Sequence, residues 1–299
     1  MSHTVAAAGS TPRISVIIPH YSDLPALDLC LTALQAQTLD ADAFEIIVAD
    51  NASPVGEDAV AKAIAGRARL VTVHERGAGP ARNGGVSVAR GEILAFTDCD
   101  CIPAPAWLSE GLAALEHSDF VGGGMRVLVG DEAHVTGAEA FELVFAFDNQ
   151  AYVERKGFTV TANLFCPAAI FAQVGGFRAG VSEDLEWSHR ARDAGFRIGY
   201  APAALVAHPA RRDWGELSAK WRRLNAETYG IVAARPKGRS RWLARSLLLP
   251  LSALAHTPRV LASQRLRSPG QKLKALATLY RLRVWRAVDA LGLLARSER

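Results

Sequence analysis

Hydrophobic positions in the first hundred residues follow a strand-and-helix alternation. Short apolar runs occur at residues 13–19, 44–50, 69–74 and 92–97, the first of them rich in β-branched residues, and each predicts a strand. Between them, residues 24–37 carry leucines at helical spacing, and helices are also predicted at 57–65 and 81–90. This order predicts an α/β fold with a Rossmann-like, mostly parallel central sheet covered by helices on both faces.

The remainder of the chain has a mixed pattern and then a helical one. Strands are predicted at residues 120–129, 158–165, 197–200 and 204–207. Helices are predicted at residues 138–152, 183–194 and 214–230. Past Arg235 the pattern is helical and basic, with breaks expected at Pro250, Pro258 and Pro269. We therefore expect a flexible N-terminus at 1–12, a main domain at 13–232 and a helical tail at 233–299.

Charge is distributed unevenly between the main domain and the tail. Residues 1–232 contain 19 Lys and Arg against 28 Asp and Glu, whereas residues 233–299 contain 15 against 2. Such a contrast is typical of an acidic body with a basic appendage that meets an anionic surface.

Three further features bear on where the protein resides. Residues 1–12 lack the basic start and apolar run of a signal peptide. The uncharged stretch at 246–255 is far shorter than the roughly 20 residues that cross a bilayer. The 4 cysteines form no CxxC motif, which favours reduced thiols. We expect a cytoplasmic protein, either free or peripheral on the inner face of the cell membrane.

Acidic residues stand where two of the predicted strands end. Asp50 ends one strand, and Asp98-Cys99-Asp100 follows another. Ligands of such folds bind outside the carboxyl ends of the strands. Two carboxylates one residue apart suit Mg²⁺ or Mn²⁺ that also binds substrate phosphates. A solvated turn gives the same pattern, and zinc held by Cys99, Cys101 and a histidine is a third, less favoured interpretation.

Two other segments carry candidate chemistry. In Gly77-Ala-Gly-Pro-Ala-Arg82-Asn83-Gly84-Gly85, glycines let backbone N–H groups approach a phosphate, and Arg82 adds a guanidinium fork. A flexible loop is the alternative there. Glu183 and Asp184 open a helix, where the helix dipole alone favours carboxylates and where a carboxylate can also act as a general base.

Six short motifs follow one another along the chain. They are Val16-Ile17-Ile18-Pro19-x-Tyr21, Glu45-Ile46-Ile47-Val48-Ala49-Asp50-Asn51-Ala52-Ser53, Ala81-Arg82-Asn83-x-Gly85, Asp98-x-Asp100, Gly175-Gly176-Phe177 and Glu183-Asp184-x-Glu186-Trp187-x-x-Arg190. In this order and spacing they resemble the family 2 glycosyltransferases of bacterial type, over about residues 13–210. The resemblance implies a GT-A fold at 13–232, with a nucleotide-binding half at 13–101, an acceptor half at 102–232 and a C-terminal helical extension.

The resemblance also implies roles for individual residues. Those that would bind the nucleotide-sugar are Pro19, His20, Tyr21, Asp50, Arg82 and Asp98. Those that would hold Mg²⁺ or Mn²⁺ are Asp98, Asp100 and His208, although His208 could equally be a strand terminator. Asp184 would be the base that deprotonates the acceptor, with Glu183 beside it.

The chain departs from the family pattern at three positions near the donor. Ser22 stands where many relatives have Asn, His20 replaces a small or β-branched residue, and Cys99 is an unusual middle residue between the two aspartates. Because the implied metal and base positions are intact, these departures bear on donor choice more than on activity.

The predicted function is inverting, metal-assisted transfer of a sugar from a nucleotide diphosphate-sugar to a hydroxyl of a glycan or lipid-linked glycan. A UDP-sugar is the favoured donor. The alternative from another class is a non-catalytic sugar-nucleotide-binding or scaffold protein at the membrane surface. A metal-dependent nucleotidyltransferase shares the α/β pattern, but such enzymes have a Gly-rich loop after the first strand, where this chain has His20-Tyr21-Ser22-Asp23.

The tail carries one apolar stripe with basic flanks. The stripe comprises Leu273, Leu276, Ala277, Tyr280, Val284, Val288, Leu291 and Leu294. The basic flanks comprise Lys272, Lys274, Arg281, Arg283 and Arg286. Such a helix either lies on an anionic membrane or packs on its own domain with a solvated basic face. Nucleic acid is disfavoured as a partner, because no groove-reading or aromatic motif accompanies the charge.

Overall fold

The four strands predicted in the first hundred residues form a parallel layer in a computed structural model, which describes residues 11–296. Their bounds are β1 (Ile14–His20), β2 (Phe44–Asp50), β3 (Arg69–Thr72) and β4 (Ile93–Phe96). Strand β1 pairs in parallel with β2 and β4, and β2 pairs in parallel with β3. The predicted flexible N-terminus at 1–12 lies almost wholly outside the described residues.

Four further strands complete a mixed sheet. They are β5 (Ile102–Pro103), β6 (Phe120–Leu128), β7 (Leu164–Pro167) and β8 (Ile198–Pro209). The sheet order is β3-β2-β1-β4-β7-β6-β8-β5. Strand β7 pairs antiparallel with β4 and β6, and β5 pairs antiparallel with β8. The layer is therefore parallel from β3 to β4 and gains antiparallel pairs beyond β4.

Part of the strand predicted at residues 158–165 is not a strand. A 3₁₀ turn (Thr161–Asn163) precedes β7. Side-chain amides bond the backbone here: Asn149 Oδ1 accepts from the Val160 N–H at 3.2 Å, and Asn163 Nδ2 donates to the carbonyl oxygens of Gly124 and Ala204 at 2.8 Å each. These bonds satisfy buried backbone groups without a strand ladder.

Helices separate and follow the strands. The α-helices of the first 200 residues are α1 (Leu24–Gln35), α2 (Glu57–Ile64), α3 (Ala78–Ser87), α4 (Trp107–Leu115), α5 (Gly137–Phe145), α6 (Asn149–Ala151), α7 (Ala168–Val174) and α8 (Glu183–Asp193). A π-helical turn (Tyr152–Lys156) continues α6. The single helix predicted at 138–152 is thus interrupted after Phe145, and Phe147 has a positive φ of 51° in the gap.

Three long helices form the end of the described chain: α9 (Trp214–Ala233), α10 (Gly238–Leu261) and α11 (Pro269–Arg296). The breaks predicted at Pro250 and Pro258 are wrong, since both residues lie inside α10, whereas Pro269 starts α11. A proline inside a helix costs about 3 kcal/mol. Buried Leu249, Ala253 and Val260 offset that cost by packing along the same helix.

Packing divides the chain into two compact units. Among the described residues, the first contains 11–126 and 148–208, and the second contains 127–147 and 209–296. The second unit has its own core of apolar side chains from α5, α9, α10 and α11, among them Phe141, Leu217, Val260 and Leu279. The sequence-based boundary at 232/233 falls inside this unit, at the end of α9. Among residues 11–296, no helix combines the length and the apolar character of a membrane span.

Candidate active site

A buried arginine joins two of the acidic motifs in the first unit. The side chain of Arg82, on α3, is 3% exposed. Its Nη2 donates to Asp98 Oδ1 at 2.5 Å, and its Nη1 donates to Glu183 Oε1 at 2.6 Å. Asp98 follows β4 and Glu183 opens α8, so the carboxyl end of a strand and the start of a helix converge on one guanidinium. A buried cation requires such partners, because an unpaired charge in the interior is strongly unfavourable.

The helix that carries Arg82 is fastened to the Gly-Gly-Phe motif. Asn83 Oδ1 accepts from the Phe177 N–H, and Asn83 Nδ2 donates to the Phe177 carbonyl oxygen, both at 2.8 Å. A Cβ at Gly176 would lie 2.7 Å from Asn83 Oδ1, so the loop approaches closely only because residue 176 is glycine. The motif is therefore a positioning loop for α3, a role that sequence reasoning did not assign to it.

Three residues of the Glu183–Arg190 motif are structural. Arg190 pairs with Glu186, with Nε to Oε1 at 2.7 Å, and its guanidinium also donates to the carbonyl oxygens of Val174 and Gly176. Trp187 is fully buried, and its Nε1 donates to the Gly175 carbonyl oxygen at 3.0 Å. These bonds fasten α8 to the same positioning loop. Glu183 and Asp184 are thereby left to face the other acidic groups.

Asp184 has the environment of a proton acceptor. Its pKa is raised from 3.8 to about 6: burial is the main cause, the nearby charges of Glu183 and Asp98 add to it, and Arg82 opposes it. Thr161 Oγ1 donates to Asp184 Oδ1 at 3.4 Å. No sequence signal marked Thr161. A carboxyl with this pKa is mostly ionised at neutral pH and still basic enough to take a proton in a transition state.

A second group of candidate ligands lies where β8 passes the Asp98-Cys99-Asp100 turn. His208 Nε2 is 3.4 Å from Asp100 Oδ2, and ligand atoms of Asp100, Cys101 and His208 lie within 4.8 Å of one another. Asp98 is not in this group, because Arg82 engages it. Burial, together with Asp98 and Asp100, raises the pKa of the Cys101 thiol well above its usual value, so this sulfur is a protonated, weak ligand. Of the proposed metal residues, the structure brings Asp100 and His208 together.

The nucleoside-binding candidates include a buried network. His20 Nδ1 lies 2.7 Å from Asp50 Oδ1, which also accepts from Ser53 Oγ at 2.5 Å. Although burial opposes it, hydrogen bonds from Ser53 and His20 hold the pKa of Asp50 below its usual value. His20 Nε2 is buried and has no hydrogen-bond partner among the described residues. Asp50 is 1% exposed, so it acts on its surroundings through His20 and Ser53 rather than from the surface.

The remaining donor candidates flank this network. Pro19 precedes His20 on β1, and Tyr21 just beyond the strand is 56% exposed. Asn51 closes the neighbouring loop: its Nδ2 donates to the Val73 carbonyl oxygen at 2.9 Å, and its Oδ1 accepts from the Gly77 N–H at 2.8 Å. The carboxyl ends of β1 and β2 thus carry an exposed tyrosine and a buried carboxylate.

The sequence profile described as "Glycosyl transferase family 2" matches residues 15–185. That range contains β1, the buried Arg82 and the start of α8, and it covers more than half of the chain. The chain belongs to glycosyl transferase family 2. It is a glycosyltransferase, and the predicted family, enzyme class and GT-A fold are confirmed.

Curated relatives of this family 2 glycosyltransferase include one archaeal and two bacterial enzymes. Glycosyltransferase AglE of Haloferax volcanii is 30% identical over 268 residues, which cover 87% of each chain. Validoxylamine A glucosyltransferase of Streptomyces hygroscopicus subsp. jinggangensis is 27% identical over 70% of this chain and 56% of its own. Pre-mycofactocin glycosyltransferase of Mycobacterium tuberculosis is 29% identical over 72% of this chain and 47% of its own.

Solved structures share the fold. TarS 1-349 of S. aureus, in complex with UDP-GlcNAc, has a TM-score of 0.54 at 17% identity and covers 91% of this chain and 90% of its own. The mannosyltransferase PcManGT of Pyrobaculum calidifontis, in complex with GDP-Man and Mn²⁺, has a TM-score of 0.50 at 19% identity. The match covers 96% of this chain and 76% of PcManGT. At these identities the likeness concerns the fold alone.

Proposed function

We propose that this glycosyltransferase moves a sugar from a nucleotide diphosphate-sugar, with UDP as the favoured carrier, to a hydroxyl of a glycan or lipid-linked glycan, and inverts the anomeric centre. The observation that carries the proposal is the bridge from Arg82 to Asp98 and Glu183. This bridge holds Asp98, on the donor side, close to the start of α8. Asp184, whose pKa is raised, lies next to Glu183 at that helix start. A single sugar can then meet both.

Asp184 acts as the general base in the proposed reaction. Its carboxylate takes the proton of the acceptor hydroxyl as that oxygen attacks C1 of the donor sugar. The bond from C1 to the diphosphate oxygen breaks, and its electron pair leaves with the diphosphate. Attack from the face opposite the leaving group inverts C1. Glu183 contributes by holding Arg82, which keeps the site from accumulating unpaired negative charge.

The donor set fits a divalent cation. A carboxylate oxygen of Asp100 and the Nε2 of His208 are hard or borderline ligands, and Asp98 lies in the same turn. Asp100 and His208 would hold Mg²⁺ or Mn²⁺, with Asp98 available once a donor competes for Arg82. Such an ion would neutralise charge that develops on the diphosphate.

Replacement of Asp100 tests this assignment. In Asp100→Asn, the Mn²⁺ concentration for half-maximal activity should rise about tenfold or more, because a charged ligand becomes a neutral one. The measurement is a Mn²⁺ titration of nucleoside diphosphate release, and isothermal titration of UDP with and without Mn²⁺ gives a second readout. Asp58→Asn on the exposed first turn of α2 is a matched control that should leave the titration unchanged. An unaltered Mn²⁺ requirement in Asp100→Asn would contradict the assignment.

A donor screen tests the function as a whole. The Tm of the full chain is measured with Mn²⁺ and one ligand at a time. The ligands are UDP, GDP and CDP, and their conjugates with glucose, N-acetylglucosamine and mannose. A cognate donor at about 100 times its Kd should stabilise the protein by about 2.7 kcal/mol, which is a shift of roughly 5 °C or more. Slow release of the nucleoside diphosphate should accompany binding. Binding without any release, even with glycan acceptors, would favour the scaffold alternative, and no shift with any donor would refute the proposal.

A further inference from the structure

Helix α10 presents an apolar face to solvent in the second unit. Leu243, Leu247, Leu251 and Leu254 recur every three or four residues, Leu261 follows two turns later, and their exposed fractions range from 44% to 61%. Leu248, at 59%, widens the same face. The opposite side of the helix is the one that packs, through Trp242, Leu249, Ala253 and Val260. Soluble proteins rarely expose a contiguous row of leucines on a helix whose other side is packed.

Helix α11 has the same arrangement. Leu273, Tyr280, Val284 and Val288 belong to the stripe predicted from the sequence, and they are 38% to 69% exposed. The packed side consists instead of Ala275, Leu279, Leu282, Arg286, Ala287 and Ala290. Half of the predicted stripe therefore faces outward, whereas its member Leu276 packs against the core of the second unit.

Contacts between α10 and α11 place the two outward rows side by side. Trp242 Nε1 donates to the Ala290 carbonyl oxygen at 2.8 Å near one end, and Lys272 Nζ donates to the Leu261 carbonyl oxygen at 2.6 Å near the other. Between them, the hydroxyl groups of Thr257 and Tyr280 lie 3.0 Å apart. This antiparallel register sets Leu247 level with Val288, and Leu254 level with Tyr280. The two helices form one apolar surface, which we call the hairpin face.

Positive charge borders the hairpin face. By helical periodicity Arg241, Arg245 and Arg259, all exposed, follow the edge of the leucine row on α10. Lys274 and Arg281 are exposed on the far side of α11. Between residues 233 and 296 the sequence has a single carboxylate, Asp289. Its Oδ2 accepts from Asn225 Nδ2 at 2.9 Å, and it lies near Arg222. The border of the hairpin face is thus cationic throughout the described part of the tail.

We infer that the hairpin face docks on an anionic lipid bilayer. The leucines of α10 and the valines of α11 enter the boundary between headgroups and acyl chains, with both helices parallel to the membrane plane. The arginines and lysines at the border contact lipid phosphates. Charge decides between this occupant and a second copy of the chain, because two copies would bring two cationic borders together.

Vesicle co-sedimentation of the full chain tests the inference. We expect binding to phosphatidylcholine vesicles that contain phosphatidylglycerol, and at least about tenfold weaker binding to phosphatidylcholine alone. The triple variant Leu247→Ser, Leu251→Ser, Leu254→Ser should lose binding by about tenfold or more, because these side chains are exposed in the folded protein. Circular dichroism and the Tm check that the variant is folded.

A matched triple variant carries the same substitutions elsewhere. Leu29→Ser, Val55→Ser, Ile231→Ser replaces three exposed apolar residues outside the hairpin face and should sediment like the unaltered protein. Equal sedimentation of the two triple variants would overturn the inference, as would equal binding to neutral and anionic vesicles. A dimer in light scattering that the hairpin variant abolishes, with no vesicle binding, would assign the face to a second copy. The donor screen is independent of this test, since the hairpin triple variant leaves residues 11–126 and 148–208 unchanged.

Discussion

Asp184→Asn is expected to lower kcat by about 10³-fold while the Kd of the donor changes by less than about threefold. The amide keeps the shape of the side chain and can still accept from Thr161, but it cannot take a proton. The donor-side groups Asp98 and Asp100 are untouched. The measurements are nucleoside diphosphate release for kcat and calorimetric titration of the donor for Kd. Equal loss of donor affinity and turnover would contradict the role of Asp184 as the base.

The pH profile gives an independent test of the same residue. Asp184 must be ionised to act, so kcat/KM should fall about tenfold per pH unit below its pKa of about 6. The effect on stability has the opposite sign. Because burial raises the folded pKa above 3.8, the folded state binds the proton more tightly than the unfolded state does, and this group makes the free energy of unfolding fall as pH rises from about 4 to about 6.

Asp193→Asn is the matched control on the same helix. Asp193 ends α8 and is exposed, so its replacement should leave kcat and the acid limb of the pH profile unchanged. At neutral pH Asp184→Asn should be at least as stable as the unaltered protein, because it removes a carboxylate whose ionisation burial opposes. A lower Tm in Asp184→Asn would indicate a structural role.

Arg82→Leu should lose both stability and activity. The substitution leaves Asp98 and Glu183 without their cation, and their side chains are 29% and 23% exposed, so solvent reduces the full penalty of a buried unpaired charge. We expect destabilisation by about 2–4 kcal/mol, or a Tm lower by roughly 5–10 °C. The pKa of Asp184 should rise further, since Arg82 lowers it, and the acid limb of the pH profile should move to higher pH.

A conservative variant and a control variant test the same interpretation. Arg82→Lys keeps the charge but can serve only one carboxylate well, so its Tm and activity should lie between those of Arg82→Leu and the unaltered protein. Arg197→Leu removes an exposed arginine, 3.5 Å from Asp119, and should change stability by less than about 1 kcal/mol. An Arg82→Leu protein with an unaltered Tm would mean that the bridge contributes nothing to the fold.

The first half of the fold could be predicted because its signals are local. Each of the strands β1 to β4 is a short apolar run, and parallel pairing follows from the helices between them. The strand predicted at 158–165 overlaps β7 only at residues 164–165. Asn149 and Asn163 determine the path of the preceding segment, and a side chain distant in sequence leaves no periodic pattern. Helix α10 passes through Pro250 because its packed side holds it, which local propensity does not report.

The candidate site divides in the same way. Motif spacing pointed to Asp98, Asp100 and Glu183-Asp184, and the resemblance implied that Arg82 binds the donor, but neither predicted that the Arg82 guanidinium pairs with two carboxylates. An ion pair between distant residues depends on which chain segments meet in the fold, and the spacing of motifs along the sequence does not give that information. In the tail, the apolar stripe of α11 was visible in the sequence, but the side of the helix that packs was not: it carries Leu279, Leu282 and three alanines, which lie outside that stripe.

The sheet order has a consequence for synthesis on the ribosome. Strand β4 is complete by Phe96, yet the strand beside it, β7, begins only at Leu164, and Glu183 follows Arg82 by 101 residues. While translation proceeds through that interval, the nascent chain has an open strand edge and a guanidinium without its second carboxylate. We therefore expect the emerging chain to remain susceptible to proteases, and attractive to chaperones, until α8 has left the exit tunnel.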